Sequence, residues 1–192
     1  MNRAGLLRSG VGGGVALLGL GVWAERATAA VPDVDLSYLR LLVATELLKA
    51  DFATQATASR KLAGAAARTV RQMRAADAAH YAGLAALMNS AGQPPATPDD
   101  IDFSYPRGSF ASARSTAALA WKLTTLALGA YLGALEQVQT QSIRLPLGQI
   151  AANEAQQQSA LAPLVSRQAI GSAFAAALPI DVVSAALDGY ES

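Results

Sequence analysis

Asp77-Ala78-Ala79-His80-Tyr81-Ala82-Gly83-Leu84 and Glu154-Ala155-Gln156-Gln157-Gln158-Ser159-Ala160-Leu161 are two versions of one stretch, and they decide the fold. Each opens on a carboxylate and places a polar side chain, His80 or Gln157, three positions later. Each also has a polar partner upstream: Glu46 stands 31 residues before Asp77, and Thr124 stands 30 before Glu154. Seven residues beyond those partners lie Ala53 and Tyr131. A helix pair with a polar residue aimed inward from each helix is thus written twice. That is the layout of a four-helix bundle built from two hairpins.

The flanking sequence agrees. Leu39, Leu42, Val43, Glu46, Leu47, Ala50 and Ala53 recur at i, i+3, i+4 spacing, which predicts a helix over about Asp35 to Thr57. Ser59 is the candidate cap of a second helix reaching about Met88, with Ala63, Ala66, Val70, Met73, Asp77, His80 and Leu84 on one face. So brief a connection makes the pair antiparallel. Residues Asn89 to Ser109 break the pattern with Gly92, Pro94, Pro95, Pro98, Pro106 and Gly108. A loop of this length is unusual inside a compact domain, and it reads as a long crossover between helices two and three, pinned to the bundle by Phe103 and Tyr105. The alternative, a linker between two small domains, is disfavoured because neither half would bury enough apolar surface alone. A third helix is expected from about Phe110 to Thr140, a break at Pro146-Leu147-Gly148, and a fourth helix from about Gln149 to Val165. The tail carries an apolar stretch, Ala169 to Leu178, then Pro179 and a short helix over about Asp181 to Leu187, expected to cap one end.

Composition suits this reading. The chain has 192 residues, 52% of them apolar, and Ala is abundant, which favours helices packed closely through small side chains. With 15 Lys+Arg against 14 Asp+Glu and no run of Lys/Arg, the sequence shows no electrostatic footprint for nucleic acid. The absence of Cys excludes disulfides, thiolate metal sites, a Cys nucleophile and a lipidated Cys.

Residues 1–30 read as an export signal. Arg3 and Arg8 form a positive start, Val11 to Trp23 is a Gly-rich apolar stretch, and Ala27-Thr28-Ala29 has the small-x-small form of a cleavage site. The apolar run falls short of the ~20 residues that span a bilayer. Asn2-Arg3-Ala4-Gly5-Leu6-Leu7-Arg8 has a twin-arginine-like form with Ala4 in place of the second Arg, so the general secretory route fits equally well. An uncleaved anchor and a cytoplasmic N-terminal helix are the alternatives. Cleavage after Ala29 or Ala30 leaves residues 31–192 as the bundle, with 12 basic and 13 acidic residues, not membrane-spanning and placed in the periplasm, the cell envelope or outside the cell.

Taken together, Leu42 to Phe52, Ile101-Asp102-Phe103 at the crossover's end, Ala127 to Ala134 around Tyr131, and Ile150-Ala151-Ala152-Asn153-Glu154 resemble the ferritin-like superfamily. Within it, the chain is similar to exported bacterial ferritin-like proteins related to desiccation-associated proteins, over most of residues 34 to 188. The resemblance implies an all-α, ferritin-like four-helix bundle with one long crossover between helices 2 and 3 and a short C-terminal capping helix. In metal-binding members, helices one and three each give a Glu, while helices two and four each give Glu-x-x-His, so that four carboxylates offset two divalent metals. Carried onto this chain, the first-helix Glu is Glu46. The second-helix motif is Asp77-Ala-Ala-His80, with a carboxylate shorter by one methylene. The third-helix Glu falls on Thr124, which removes a charge. The fourth-helix motif is Glu154-Ala-Gln-Gln157, where Gln replaces His.

Glu46, Asp77, His80 and Glu154 are therefore the candidate metal ligands, and Thr124 and Gln157 are degenerate ligand positions. Neither of the last two is a strong ligand for a divalent transition metal. Two such ions would leave excess positive charge in a low-dielectric core. One divalent ion (iron, manganese or zinc) is chemically reasonable, while the bland reading is a buried polar cluster without metal. In that case three converging carboxylates need partners, and Lys49 and Lys122 are the candidates. Tyr131 serves either as core packing or as a hydrogen-bond donor into the centre. His80 is the only imidazole and no Gly-x-Ser-x-Gly elbow is present, so a Ser-His-acid hydrolase is disfavoured, and no catalytic residue is assigned. The functional expectation is an exported, non-catalytic envelope or stress-related protein with a degenerate di-iron site, with a homo-oligomer or an envelope protein as partner. The alternative is a metal-binding protein of iron handling or peroxide chemistry.

Overall fold

The computed structural model describes residues 31–192; the expected export signal at 1–30 lies outside the described residues. Helix α1 runs Asp33–Ala58, α2 Gly64–Ser90, α3 Ala113–Gln137, α4 Gln141–Leu161 and α5 Ile180–Asp188, with one 3-10 turn at Ala162–Val165. Among the described residues extended pairing is limited to a single bridge, Phe103 to Glu191.

Asp33 and Asp35 lie in the first turn of α1, where negative charge complements the helix dipole. Asp35 does more: its two carboxylate oxygens accept from the Gln139 and Thr140 amides, both at 2.8 Å. It thereby holds the turn between α3 and α4. At the far end of α1, Ser59 ends that helix rather than opening the next, correcting the expected cap. Arg60 takes a positive φ of 55°, and a left-handed residue cannot continue a right-handed helix; Gly64, also at positive φ (54°), turns the chain into the next one. Helix α2 accordingly starts at Gly64.

The crossover, residues 91–112, is held by side chains. The Tyr81 hydroxyl donates to the Ala96 carbonyl at 2.9 Å, and the Tyr105 hydroxyl donates to Asp51 Oδ2 at 2.9 Å and to the Leu48 carbonyl at 3.1 Å. Tyr105 and Phe110 also pack with Phe52 of α1, their ring centroids 5.2 to 6.4 Å apart. Helix α3 then starts on a capping box in which Ser112 and Ser115 each satisfy the other's amide at 3.1 Å.

The expected break at Pro146-Leu147-Gly148 is absent. Helix α4 starts earlier, at Gln141, and contains Pro146. Pro146 is the sixth residue of α4, just past the four amides that have no partner inside the helix, so it costs one intrahelical hydrogen bond near the start. Buried Ile143 and Leu147 on either side hold that turn in place.

The α1–α2 and α3–α4 hairpins pack through α1 on α3 and α2 on α4. Between them lies a core that includes Leu39, Leu42, Val43, Leu84, Leu123 and Leu147, each such side chain contributing about 1.5–3 kcal/mol on burial. Ala120, Ala127, Ala130 and Ala134 of α3 are fully buried and let the helices approach closely. The expected short C-terminal helix is present as α5 and packs on α1 and α3. The chain reaches it across α3: the Leu178 amide donates to the Gly129 carbonyl at 2.9 Å. A Cβ on Gly133 would fall 2.0 Å from the Leu178 carbonyl oxygen, so this crossing requires glycine. Among the described residues only α3 is long and apolar enough to cross a membrane, and 61% of its most apolar window is buried in the bundle.

Candidate metal centre

Antiparallel pairing about the two short turns brings the middles of all four long helices to one level. There Glu46 of α1, Asp77 and His80 of α2, and Glu154 and Gln157 of α4 are all buried. One ligand atom from each of Glu46, Asp77, His80 and Glu154 lies within 4.8 Å of the others, so this group could hold a metal ion. His80 Nδ1 is 3.3 Å from Glu154 Oε1, 3.5 Å from Glu46 Oε1 and 3.9 Å from Asp77 Oδ1. It is aligned with none of them for a hydrogen bond. Thr124 is fully buried on α3, but its hydroxyl makes no hydrogen bond.

A cation of the chain's own already stands among these groups. Lys49 is 2% exposed, and its Nζ donates to Glu154 Oε1 at 2.5 Å and to Asp77 Oδ1 at 2.8 Å. Glu46 Oε2 is 4.0 Å away and Gln157 Oε1 3.4 Å. Lys49 faces inward because it is one turn beyond Glu46, and i, i+3 residues share a helix face. Lys122, the other candidate partner, is exposed and lies over the Tyr190 ring, 5.5 Å from its centroid. It does not reach the centre.

Neutral groups complete the network. The Gln157 amide nitrogen donates to Asp77 Oδ1 at 2.9 Å and to Asn153 Oδ1 at 3.0 Å, while its oxygen faces Lys49. Gln157 thus bridges an anion and a cation without carrying charge itself. The Tyr131 hydroxyl donates to Glu46 Oε1 at 2.6 Å, so Tyr131 is both core and hydrogen-bond donor. Its spacing of seven from Thr124 puts it on the inward face of α3.

The electrostatics follow from this arrangement. Burial alone would lower the Lys49 pKa, but Glu46, Glu154 and Asp77 outweigh it and hold the ammonium well above its usual range. For His80 burial likewise works downward, yet Glu154 and Glu46 raise its pKa to about 9. Burial, with Glu154 adding to it, raises Asp77 despite the opposing Lys49 and Gln157. Burial and then Glu46 push the Tyr131 phenol well above its usual value. At neutral pH two cations therefore face three carboxylates, one of which binds a proton more readily than usual.

The donor set admits two divalent ions poorly. At ~2.1 Å from an ion, opposite ligands are about 4.2 Å apart, so the four donors suit a single ion after a small contraction. Thr124 and Gln157 bring no charge for a second. Oε2 of Glu46, Oδ2 of Asp77, Oε2 of Glu154 and Nδ1 of His80 are buried without hydrogen-bond partners, which leaves donor capacity open. Against this, Lys49 already bonds two of the same carboxylates.

A comparison with curated proteins gave no match. The family model described as a ferritin-like domain matches residues 34–167, covering all four long helices and the centre between them, and the chain belongs to the ferritin-like domain family.

Proposed function

We propose that this is a non-catalytic ferritin-like protein in which the Lys49 ammonium takes over the charge compensation that metal ions give in metal-binding members. The observation that carries this reading is Lys49 Nζ bonded to both Asp77 and Glu154 inside the core. A buried carboxylate cluster needs compensating positive charge, and here the chain supplies it covalently, in the first hairpin, with the correct reach. The bundle then acts through its surface or by assembly, in an envelope or stress setting. Export rests on the positive start, the apolar stretch and Ala27-Thr28-Ala29 in residues 1–30; N-terminal sequencing of protein recovered from cell fractions tests it, with Ala30 or Val31 expected first.

A second reading draws on the four unpartnered donor atoms: one divalent ion held by Glu46, Asp77, His80 and Glu154 beside Lys49. One such ion and the ammonium would balance three carboxylates with His80 neutral. Iron or manganese bound there would supply redox chemistry toward peroxide. Anaerobic titration of the full chain with Fe(II), Mn(II) and Zn(II), read by bound metal and by thermal melting, separates the two. The first reading expects no stoichiometric uptake and a melting temperature unmoved by chelator. One equivalent of metal, lost in His80→Ala, would overturn it in favour of the second. Lys49→Met sharpens the test, because without its resident cation the cluster should gain metal affinity and be stabilised by added ion.

A further inference from the structure

The surface charge is sorted by the fold. Stretches 52–76, 107–122 and 155–175 contain no Asp or Glu, and antiparallel packing gathers them at one end of the bundle: the close of α1, the start of α2, the start of α3 and the exit of α4. Arg60, Lys61, Arg68, Arg71 and Arg74 run from that end along α2 toward the bundle's middle, and Arg107, Arg114 and Arg167 lie in the other acid-free stretches; all eight are exposed. Among the described residues none of these eight has a carboxylate within 4.0 Å; Arg167 instead lies over the Trp121 ring at 5.2 Å. From the same end the chain leaves α4 along α3, and residues 168–180 carry no charge. Within them Ile170 is 88% exposed and Phe174 90% exposed. Among the described residues its one backbone hydrogen bond to the bundle is Leu178 to Gly129, and Leu178 and Ile180 pack on the core, so Ile170 and Phe174 project from a strap anchored at its far end.

We propose that the cationic end and the 168–176 strap form a docking surface for an anionic lipid bilayer. The cations would meet the headgroups, while Ile170 and Phe174 enter the acyl boundary. Charge complementarity selects this occupant: clustered basic groups are attracted to anionic leaflets, and exposed large apolar side chains beside them have somewhere to go only if the partner has an apolar interior. A nucleic acid would use the cations but leave both apolar side chains in water. A second copy joined through the same end would set eight unpaired cations against eight more, a repulsive arrangement.

Because the chain has no Cys, Ser172→Cys places a single environment-sensitive fluorophore between Ile170 and Phe174. Leu145→Cys places it on an exposed residue of the opposite end. The full-length chain is mixed with vesicles of phosphatidylcholine alone or with about one-third phosphatidylglycerol. The expected result is a several-fold, blue-shifted rise in emission at position 172 with the anionic vesicles only. It should be reversed by high salt, since screening shortens the reach of surface charge, and absent at position 145. Adding Ile170→Ser with Phe174→Ser should reduce the response at least tenfold while circular dichroism and melting stay unchanged. Overturning results are no response at 172, equal responses at 172 and 145, a response indifferent to the double substitution, or a response to duplex DNA or to protein concentration without lipid.

Discussion

The two hairpins share a shape and divide the chemistry unequally. The α1–α2 hairpin brings Glu46, Lys49, Asp77 and His80 to the centre, two anions with two groups that are cationic at neutral pH. The α3–α4 hairpin brings one anion, Glu154, and otherwise the neutral Thr124, Tyr131 and Gln157. The difference teaches that backbone symmetry survives loss of chemical symmetry when one half internalises its counter-charge. With Lys49 in place, the second hairpin needs only to orient and hydrogen-bond, and Tyr131 and Gln157 do that. Substitutions in the first hairpin should therefore cost more than those in the second.

Lys49→Ala gives the largest expected effect. It leaves three carboxylates facing one another in the core, and removing one partner of a buried ion pair costs about 3–5 kcal/mol. Chemical denaturation at pH 7 without added metal measures it; a loss below about 1 kcal/mol would mean the first hairpin does not depend on its own cation.

The pH dependence of stability comes next and also belongs to the first hairpin. The His80 pKa is raised to about 9 in the fold, against ~6.5 in the unfolded chain. Its stabilisation is therefore fully present below pH ~6.5 and is lost as pH rises through about 9, a decline on the order of 2 kcal/mol after allowance for relaxation. Asp77, also raised, acts with the same sign, stabilising most in acid. Lys49 stays charged across this window and adds no slope of its own, although its charge opposes the rise of Asp77. Denaturation curves at several pH values should show stability falling as pH rises, and His80→Gln should flatten that fall. An unchanged slope in His80→Gln would remove the imidazole from the account.

Much of this was legible in the chain because helical spacing is a local property. The inward polar residues, the antiparallel pairs and the long crossover follow from periodicity and from where Gly and Pro gather. Helix ends were less legible. Ser59 and Pro146 have the chemistry of a start and a break, but Arg60 in the left-handed region and the buried contacts around Pro146 decide otherwise. Lys49 and Lys122 were equal candidates by proximity along the chain. They separate on the helix surface: three residues from Glu46 keeps the same face, whereas two residues from Thr124 turns Lys122 outward. The Asp35 clamp on the α3–α4 turn, and the joining of Arg107, Arg114 and Arg167 to the cations of 60–74, depend on pairing distant stretches, which no local spacing encodes.

Tyr131→Phe tests the second hairpin's share. It keeps the ring, fully buried, and deletes only the donor to Glu46 Oε1. Glu46 Oε2 already lacks a partner, so the carboxylate would lose its tyrosine hydrogen bond, at a cost of about 1–3 kcal/mol. A loss near zero would show that the Lys49 ammonium satisfies Glu46 without help from α3.

Lys122→Ala closes the series, because it compares two lysines that proximity in sequence could not tell apart. Lys122 Nζ has no carboxylate within 4.0 Å among the described residues, and its contact is the Tyr190 ring. An exposed cation–π contact contributes about 0.5–1 kcal/mol at most. Lys122→Ala should therefore move the denaturation midpoint slightly and leave the dependence of stability on pH as it was, while Lys49→Ala changes both. A Lys122→Ala loss approaching that of Lys49→Ala would place a charge-compensating role on the second hairpin, and the unequal division between the two would no longer hold.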